Sequence, residues 1–383
     1  MDLELLERTL QSLGEPPYRA RQVWRWSAAG AAGFSEMTDL PLALRAALER
    51  AVPYSTLTLR RELAATDGTI KALLMTADGR PVEAVMMRFD DGRRSLCLSS
   101  QSGCPLTCSF CATGAMRFGR NLTASEILDQ ALHFRRLGPI DHVVFMGMGE
   151  PLMNLDAVLG ACARLPSLGV APRRTAVSTV GWVPGIQRLA RERPPLRLAL
   201  SLHAPEDALR SQLMPVNDRY PIADVLAACR EHYERKRRMV LVEYVMLAGV
   251  NDSVGQARQL AELLDPRVFK VNLIPYNPTG SPYRASGPRA IAAFAGELSR
   301  LGLTATVRVT RGREIAAACG QLAARDADQE ETTAATPARA SPARSSRSRS
   351  SRSSSGVASK PSIGGSSPRS RSPNSRKNSS EVR

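Results

Sequence analysis

The sequence has no apolar run long enough to cross a membrane. A transmembrane helix needs about 20 consecutive apolar residues, and no run of that length occurs in the 383 residues. The amino-terminal segment 1–22 is charged and amphipathic, and it lacks the apolar stretch of a secretory signal peptide. These two absences predict a cytoplasmic protein with no membrane partner.

The sequence also lacks the features of a disulfide framework or a zinc site. Its seven cysteines are an odd number, and a reducing compartment would keep them as thiols. A structural zinc site needs four ligands, usually as two C-x2-C pairs or with nearby histidines. There are only four histidines, and the first, His133, has no ligand-like neighbour. The cysteines therefore need another explanation.

The charge is uneven along the chain. The net charge is +16, and the segment 332–383 contributes nine Arg and two Lys against one Glu, which is 11 − 1 = +10. This segment holds 18 serines in repeated Arg-Ser steps and has little to bury, so we predict a disordered tail over 326–383. It is either an arm that attracts nucleic acid and responds to serine phosphorylation, or a solubilising extension.

The most informative motif is the C-x3-C-x2-C run of Cys104, Cys108 and Cys111. Three thiolates can hold three irons of a cubane [4Fe-4S] cluster, which normally has four cysteine ligands. The missing fourth ligand leaves one iron open to a substrate. The spacing therefore predicts a [4Fe-4S] cluster that binds S-adenosylmethionine (SAM) at its open iron and splits it into a radical.

Periodicity divides residues 1–325 into three parts. Residues 1–50 have helical spacing and predict a small accessory domain, and 51–96 are β-rich with a hairpin around Gly79. From 97 to 325, apolar β-branched runs alternate with helical segments, which predicts an α/β fold with a parallel sheet. The number of units favours a partial or full (β/α) barrel, whose functional residues lie at the carboxyl ends of the strands.

Polar residues follow several of these predicted strands. A Gly-Met-Gly-Glu-Pro run ends at Pro151, where glycine permits close approach of a ligand and Glu150 offers a carboxylate to an ammonium group. Later strand ends carry Ser178, Ser201 with His203, and Asn277. A single such residue is usually a helix cap. Four in succession predict one small-molecule pocket.

Outside the triplet, Cys162 and Cys229 lie on apolar helix faces and predict core packing. By their local sequence alone, Cys97 and Cys319 also predict buried core thiols.

The motifs together resemble the RlmN/Cfr family of radical-SAM RNA adenosine methyltransferases over about residues 1–325. The resemblance rests on the cysteine run with Ala112-Thr113-Gly114, on the run that follows Met146, on Ser201-Leu202-His203-Ala204, and on the closing Ala317-Ala318-Cys319-Gly320-Gln321. An amino-terminal Tyr18–Trp26 segment resembles the family's accessory domain. The fold so implied is the radical-SAM partial barrel.

The resemblance implies roles for particular residues. Cys104, Cys108 and Cys111 would bind the cluster. Cys319 would carry a methyl group, Cys97 would resolve the covalent intermediate, and Glu83 would accept a proton. The residues implied in SAM binding are Gly149, Glu150, Ser178, Ser201, Leu202, His203 and Asn277.

The implied reaction uses two SAM molecules per turnover. A thiolate takes a methyl group from the first, and a radical made from the second activates that methyl group for addition to adenine. The expected product is methylated at carbon 2 of an adenosine in 23S ribosomal RNA, and also in transfer RNA. Methylation of carbon 8 and a radical-SAM reaction on a non-RNA substrate remain alternatives. We further expect an external electron donor, a disulfide reductant and a monomer.

Overall fold

This computed structural model describes residues 1–323. These residues contain ten α-helices and twelve β-strands. The tail predicted over 326–383 lies outside them. No helix within 1–323 is long and apolar enough to span a bilayer. The helices are α1 Leu3–Ser12, α2 Tyr18–Ala29, α3 Leu42–Ala51, α4 Ala124–Arg135, α5 Leu155–Arg164, α6 Val183–Arg191, α7 Asp207–Leu213, α8 Ile222–Lys236, α9 Val254–Leu263 and α10 Pro288–Arg300.

Ten of the strands form one sheet, and two short strands pair separately. The strands are β1 Leu57–Ala64, β2 Ile70–Thr76, β3 Pro81–Arg88, β4 Arg94–Cys97, β5 Gln101–Ser102, β6 Arg120–Asn121, β7 His142–Phe145, β8 Thr175–Thr179, β9 Arg197–Ser201, β10 Val240–Met246, β11 Phe269–Pro275 and β12 Ala305–Val307. The large sheet has the order β1-β2-β3-β4-β7-β8-β9-β10-β11-β12, and β5 pairs with β6.

The strand pairing in the large sheet changes from antiparallel to parallel at β4. Strands β1 to β4 are antiparallel neighbours, whereas every pair from β4 to β12 is parallel. Within residues 1–323 no pairing joins β12 to β1, so the sheet stays open. This is the predicted partial barrel, and it confirms the expected α/β fold class.

Helices α1 to α3 pack around their own small core, which includes Leu6, Val23, Phe34 and Leu48. Their apolar residues recur at helical spacing, so each helix buries one face against the other two. Next comes the predicted hairpin of β2 and β3, whose turn contains Gly79 at φ +72°. This hairpin continues the barrel sheet directly, so the boundaries at residues 50 and 96 remain predictions.

Helices connect the parallel strands from β4 to β12. Two of them begin with reciprocal capping boxes, Thr123 with Glu126 at α4 and Ser253 with Gln256 at α9. The inner parallel strands, such as β10 and β11, are largely buried, because helices cover the outer face and side chains fill the inner one, whereas the edge strand β12 is mostly exposed. The carboxyl ends of these strands therefore meet at one edge, where the predicted site residues lie.

Candidate active site

The cysteine triplet lies in the loop between β5 and β6, shortly after β4, the first parallel strand. The loop starts at Gly103, whose φ is +74° and whose Cβ, if it had one, would lie 2.5 Å from the carbonyl oxygen of Arg117. Only glycine fits that turn. The loop is also held by a hydrogen bond from the Ser109 amide to the Leu213 carbonyl, 3.0 Å long.

All three thiols line one cavity at the strand ends, which we call the cluster cavity. Burial raises the pKa of Cys104 to about 12 and that of Cys108 well above its usual value, and the charge of Cys111 adds to the effect at Cys108. Burial likewise raises the pKa of Cys111, although amide hydrogen bonds from Gly114 and Thr113 oppose it. Three thiolates this close together need a cationic partner to compensate their charge.

A cubane cluster fits this arrangement better than a single metal ion does. In the described part of the chain no group of three or more His, Cys, Asp or Glu side chains is arranged around one ion position. A cluster has no such requirement, because each thiolate binds a different iron atom. The three thiols around one cavity therefore match a cluster with one iron left open.

The strand end after β7 supplies a close backbone approach and a buried carboxylate. Gly149 has φ +97°, and a Cβ there would lie 2.5 Å from Gln101, so a side chain is excluded. The next residue, Glu150, accepts hydrogen bonds from the amides of Leu152 (3.0 Å) and Val180 (2.9 Å). Burial raises the pKa of Glu150 to about 7, and these amide bonds lower it.

The next two strand ends place Ser178, Ser201 and His203 in the same cavity. The Oγ atoms of the two serines lie 3.4 Å apart. The Nδ1 atom of His203 accepts the Val245 amide at 3.0 Å, so its proton is on Nε2. Burial lowers the pKa of His203 to about 3, which keeps the ring neutral. The structure thus brings Ser178, Ser201 and His203 together with Glu150 around one cavity.

Cys319 lies on the wall between the cluster cavity and a second, smaller cavity. We call the second one the thiol cavity, because Cys97 at the end of β4 also lines it. The prediction of buried thiols therefore holds for Cys97, which is 7% exposed, as it does for Cys162 and Cys229, whereas Cys319 is only partly buried. The two thiols, 222 residues apart, thus face one space.

The thiol cavity is narrow and contains a buried positive charge. Its volume is about 20 Å³, which is room for roughly one water molecule. The guanidinium of Arg308 lies 3.6 Å from the Sδ atom of Met146 and 4.0 Å from that of Met87. The charge of a Cys319 thiolate raises the pKa of Arg308, and Glu243 and Cys97 add to it while burial opposes it.

The segment 311–323, which carries Cys319, is fastened at several points. The Gly312 amide donates to Asp67 at 2.9 Å, and the Ala112 amide donates to Gly320 at 2.8 Å. The Thr113 hydroxyl donates to the Leu322 carbonyl at 2.5 Å. The cluster loop therefore holds this segment from one side and the loop that precedes β2 holds it from the other.

Glu83 belongs to this fastening and lines neither cavity. Its side chain is buried, with Oε1 3.0 Å from the Lys71 ammonium and Oε2 accepting the Ala323 amide at 2.9 Å. The same ammonium reaches the Ala316 carbonyl at 3.4 Å. In this arrangement Glu83 fixes the end of the Cys319 segment and does not face the two thiols.

Two other predicted residues lie apart from the cluster cavity. Asn277 lines the thiol cavity, where its Nδ2 atom lies 3.4 Å from the Cys319 carbonyl. The Leu202 side chain is fully buried in the main core, and only its backbone is near the site, with its amide donating to the Glu243 carbonyl.

Sequence reasoning missed two charged residues at the site, Glu243 and Arg308. Glu243 is buried in β10 and lines the cluster cavity, and Arg308 follows β12. Each is a single charge within an apolar strand-like run, Val240–Met246 and Ala305–Val309. A single charge in such a run indicates a functional residue, because a charged side chain on a buried strand needs a partner.

Comparison with known proteins agrees with this geometry. The sequence model of the Radical SAM superfamily matches residues 98–261, and that of the ribosomal RNA large subunit methyltransferase N-terminal domain matches residues 1–52. The first match covers the cluster loop and the strands up to β10. The second covers the three amino-terminal helices.

Full-length relatives match most of the chain. A probable dual-specificity RNA methyltransferase RlmN of Thermus thermophilus is 48% identical over 331 residues, which are 84% of this chain and 92% of the relative. A dual-specificity RNA methyltransferase RlmN of an Anaeromyxobacter species is 46% identical over 352 residues, covering 88% and 93%.

A solved structure shares the fold. The crystal structure of a radical SAM methyltransferase from Sphaerobacter thermophilus superposes with a TM-score of 0.80 at 45% sequence identity. The alignment covers 85% of this chain and 98% of that one.

Proposed function

Because the chain belongs to the RlmN family of radical-SAM RNA methyltransferases, we propose that it methylates carbon 2 of an adenosine in 23S ribosomal RNA through a methylated cysteine. The family accounts for an enzyme that uses a [4Fe-4S] cluster and SAM. The carbon position, the ribosomal target and the covalent route are parts of the proposal. The match of residues 1–52 to a large-subunit ribosomal RNA methyltransferase domain supports the choice of RNA.

One observation carries the proposal: Cys319 lies on the wall shared by the cluster cavity and the thiol cavity. On one side it faces the space of Cys104, Cys108 and Cys111. On the other it faces Cys97. A thiol that receives a methyl group from SAM and later exchanges with a second thiol needs both neighbours.

Residues of the cluster cavity hold the cofactors in this proposal. Cys104, Cys108 and Cys111 bind the cluster, and the Gly149 backbone, Glu150, Ser178, Ser201 and His203 surround SAM. When bound, the cluster and SAM would supply the radical chemistry that removes a hydrogen atom from the methyl group on Cys319. Leu202 contributes through its backbone, and Asn277 acts from the thiol cavity by orienting the Cys319 carbonyl.

Cys319 first attacks the methyl group of one SAM as a thiolate, which forms an S–CH3 bond and releases S-adenosylhomocysteine. The nearby guanidinium of Arg308 supports the negative charge that this step requires. A second SAM serves the radical step, so each turnover uses two. The activated carbon then bonds to the adenine ring and links the RNA to Cys319.

Two further residues complete the reaction. Glu83 accepts the ring proton as a general base, while the adduct returns its unpaired electron to the external carrier that supplies the electron for the radical step. Cys97 then attacks Sγ of Cys319, so that an S–S bond forms, the S–C bond breaks, and the freed carbon takes a proton. An external dithiol reduces the disulfide, and an external donor supplies the electron for the radical step.

RNA binding must open this site. An adenine cannot enter the thiol cavity at about 20 Å³, and Glu83 is held by Lys71 and Ala323. Movement of the segment 311–323 would widen the cavity and free the carboxylate together. The target base must also leave its stack to reach Cys319.

The names of the relatives, dual-specificity RNA methyltransferases, support a second RNA substrate, which we propose is transfer RNA. The chain acts as a monomer in the cytoplasm, where reducing conditions keep Cys97 and Cys319 as thiols between turnovers.

Product analysis tests the proposal. The reconstituted full-length protein is incubated with SAM, a reductant and 23S ribosomal RNA, and the digested RNA is analysed by mass spectrometry against synthetic standards. We expect 2-methyladenosine. Predominant 8-methyladenosine would overturn the carbon assignment, and the absence of methylated adenosine from both RNA classes would overturn the RNA substrate.

A further inference from the structure

A buried carboxylate in the cluster cavity has an oxygen without a partner. Glu243 is 2% exposed and lines this cavity. Its Oε2 atom accepts a hydrogen bond from Asn272 at 2.8 Å. Its Oε1 atom is buried and has no hydrogen-bond partner among residues 1–323. A buried polar atom left in this way costs free energy, so a donor from a ligand would stabilise the arrangement.

Glu243 is held in a polar row that crosses four parallel strands. Ser201 on β9 is in register with Glu243 on β10, Glu243 with Asn272 on β11, and Asn272 with Thr306 on β12. The Thr306 hydroxyl lies 3.2 Å from the Asn272 oxygen, so Asn272 presents its amino group to Glu243. The row orients the carboxylate and leaves Oε1 as its free end.

The position of Glu243 selects between the two adenosine-containing ligands. It lines the cluster cavity, with the three cluster cysteines, Ser178 and Ser201, and it does not line the thiol cavity. In the proposed function the target adenosine of RNA enters the thiol cavity, where Cys97 meets Cys319. SAM is then the ligand that meets Glu243.

The position of Glu243 along the sheet also indicates which part of SAM it contacts. The donors of SAM are its ammonium group, two ribose hydroxyls and the adenine amino group. Glu150, after β7, is the carboxylate assigned to the ammonium group, and Glu243 lies three strands farther along the sheet, on β10. The nucleoside end is therefore the end that a second carboxylate would meet.

We propose that Glu243 is an additional SAM-binding residue whose Oε1 atom accepts a hydrogen bond from the adenosyl group. The inference rests on SAM binding in the cluster cavity, as the proposed function has it. Burial raises the pKa of Glu243, while the charge of Arg308 and the Asn272 hydrogen bond oppose the rise. The same interactions keep the carboxylate available as an acceptor.

The test is binding of SAM and of S-adenosylhomocysteine to the reconstituted holoprotein, measured by calorimetry. Both ligands have the same adenosyl group, but only SAM carries a charged sulfur. We expect Glu243→Gln to weaken both ligands by the same factor, about tenfold or more, because hydrogen bonds to charged groups are the stronger ones. Glu262→Gln, at an exposed glutamate of α9, should leave both affinities unchanged.

A second arm needs no variant and therefore does not depend on folding of Glu243→Gln. Wild-type holoprotein is titrated with S-adenosylhomocysteine analogues that lack the 2′-hydroxyl, the 3′-hydroxyl or the adenine amino group. We expect one of the three analogues to bind about tenfold more weakly than S-adenosylhomocysteine itself.

The outcomes separate cleanly. Unchanged binding of both ligands in Glu243→Gln, with the iron content of wild type, would overturn the inference, as would weaker binding of SAM alone, because the carboxylate would then act on the charged sulfur. Equal binding of all three analogues to wild type would also overturn it. Failure of wild-type holoprotein to bind either ligand would instead overturn SAM binding in this cavity, and with it the proposed function.

Discussion

The two cavities that meet at Cys319 are built in different ways. The cluster cavity takes its thiols from one short loop and its other polar groups from successive strand ends. The thiol cavity takes Cys97, Arg308 and Cys319 from distant parts of the chain and encloses about 20 Å³ against about 160 Å³. The first has the character of a stable cofactor site. The second is narrow and is lined by the segment 311–323, which has to move for each RNA in the function proposed above.

The largest effect should come from removing a cluster ligand. Cys108→Ala should abolish both the iron content and RNA methylation, because two remaining thiolates cannot hold the cluster. Iron and sulfide analysis with the visible absorbance of the holoprotein measures this. The matched control is Cys162→Ala, a buried thiol in the main core, which should keep its iron and lose about 1 kcal/mol of stability. Full iron content in Cys108→Ala would contradict the cluster assignment.

The two thiols of the thiol cavity should fail differently when they are removed. Cys319→Ala should carry no methyl group and leave RNA unmethylated. In Cys97→Ala, Cys319 should become linked to RNA and stay linked, because no second thiol then breaks the S–C bond. A denaturing gel with labelled RNA distinguishes the two, since only Cys97→Ala should give a protein-linked band. Normal methylation by Cys319→Ala would refute the covalent route.

A moderate effect should appear at Glu150 as a dependence of stability on pH. Burial raises the pKa of Glu150 to about 7 from 4.5, so the folded state binds this proton more tightly than the unfolded state. The stabilisation is complete below pH 4.5 and is lost as the pH rises through 7.

Urea unfolding of the cluster-free protein checks this between pH 5 and 8. The stability of wild type relative to Glu150→Gln should fall across this range by at most about 3 kcal/mol, at roughly 1.4 kcal/mol per pKa unit. The opposite shift at His203 is common to both proteins and cancels. A difference that stays constant with pH would show that Glu150 is ionised in the folded protein throughout.

The smallest effect concerns the charge in the thiol cavity. Burial raises the pKa of Cys97 to about 12, Cys319 raises it too, and Arg308 lowers it. Arg308→Met should raise the pKa of Cys97 further and slow its alkylation by iodoacetamide at pH 9 about threefold to tenfold. Peptide mass spectrometry measures the rate, and Arg308→Lys, which keeps the charge, should stay near wild type. Equal rates in wild type and Arg308→Met would remove Arg308 from the electrostatics of this cavity.

Sequence reasoning predicted the fold well because the local patterns are strong. The parallel strands from β7 to β11 are rich in apolar and β-branched residues, and helices such as α4 begin at clear caps. Both the strand pattern and the helix pattern are therefore visible in the sequence. The short helix α7 and the pair β5 and β6 were missed, since seven- and two-residue elements leave no periodic signal. Strand β1 was covered only by the prediction of a β-rich stretch.

The residues of the cluster cavity were easier to predict from the sequence than those of the thiol cavity. The cluster cysteines, Glu150 and the two serines could be found by spacing and by their place at strand ends. Cys97, Cys319 and Glu83 came only from the resemblance to a family. Glu243 and Arg308 were overlooked, although each interrupts an apolar run.

By itself, the sequence determined the cluster loop and the parallel barrel, because both depend on residues within a few positions of one another. Only the tertiary structure decided that Cys97 and Cys319 share a cavity and that Glu83 is bound to Lys71 and Ala323. It also decided that Glu243 faces the cluster cysteines. Such contacts join residues that are far apart in the chain, some on strands and others in the loops beside them. Their distances follow from strand order, register and the path of the loops, which no local pattern specifies.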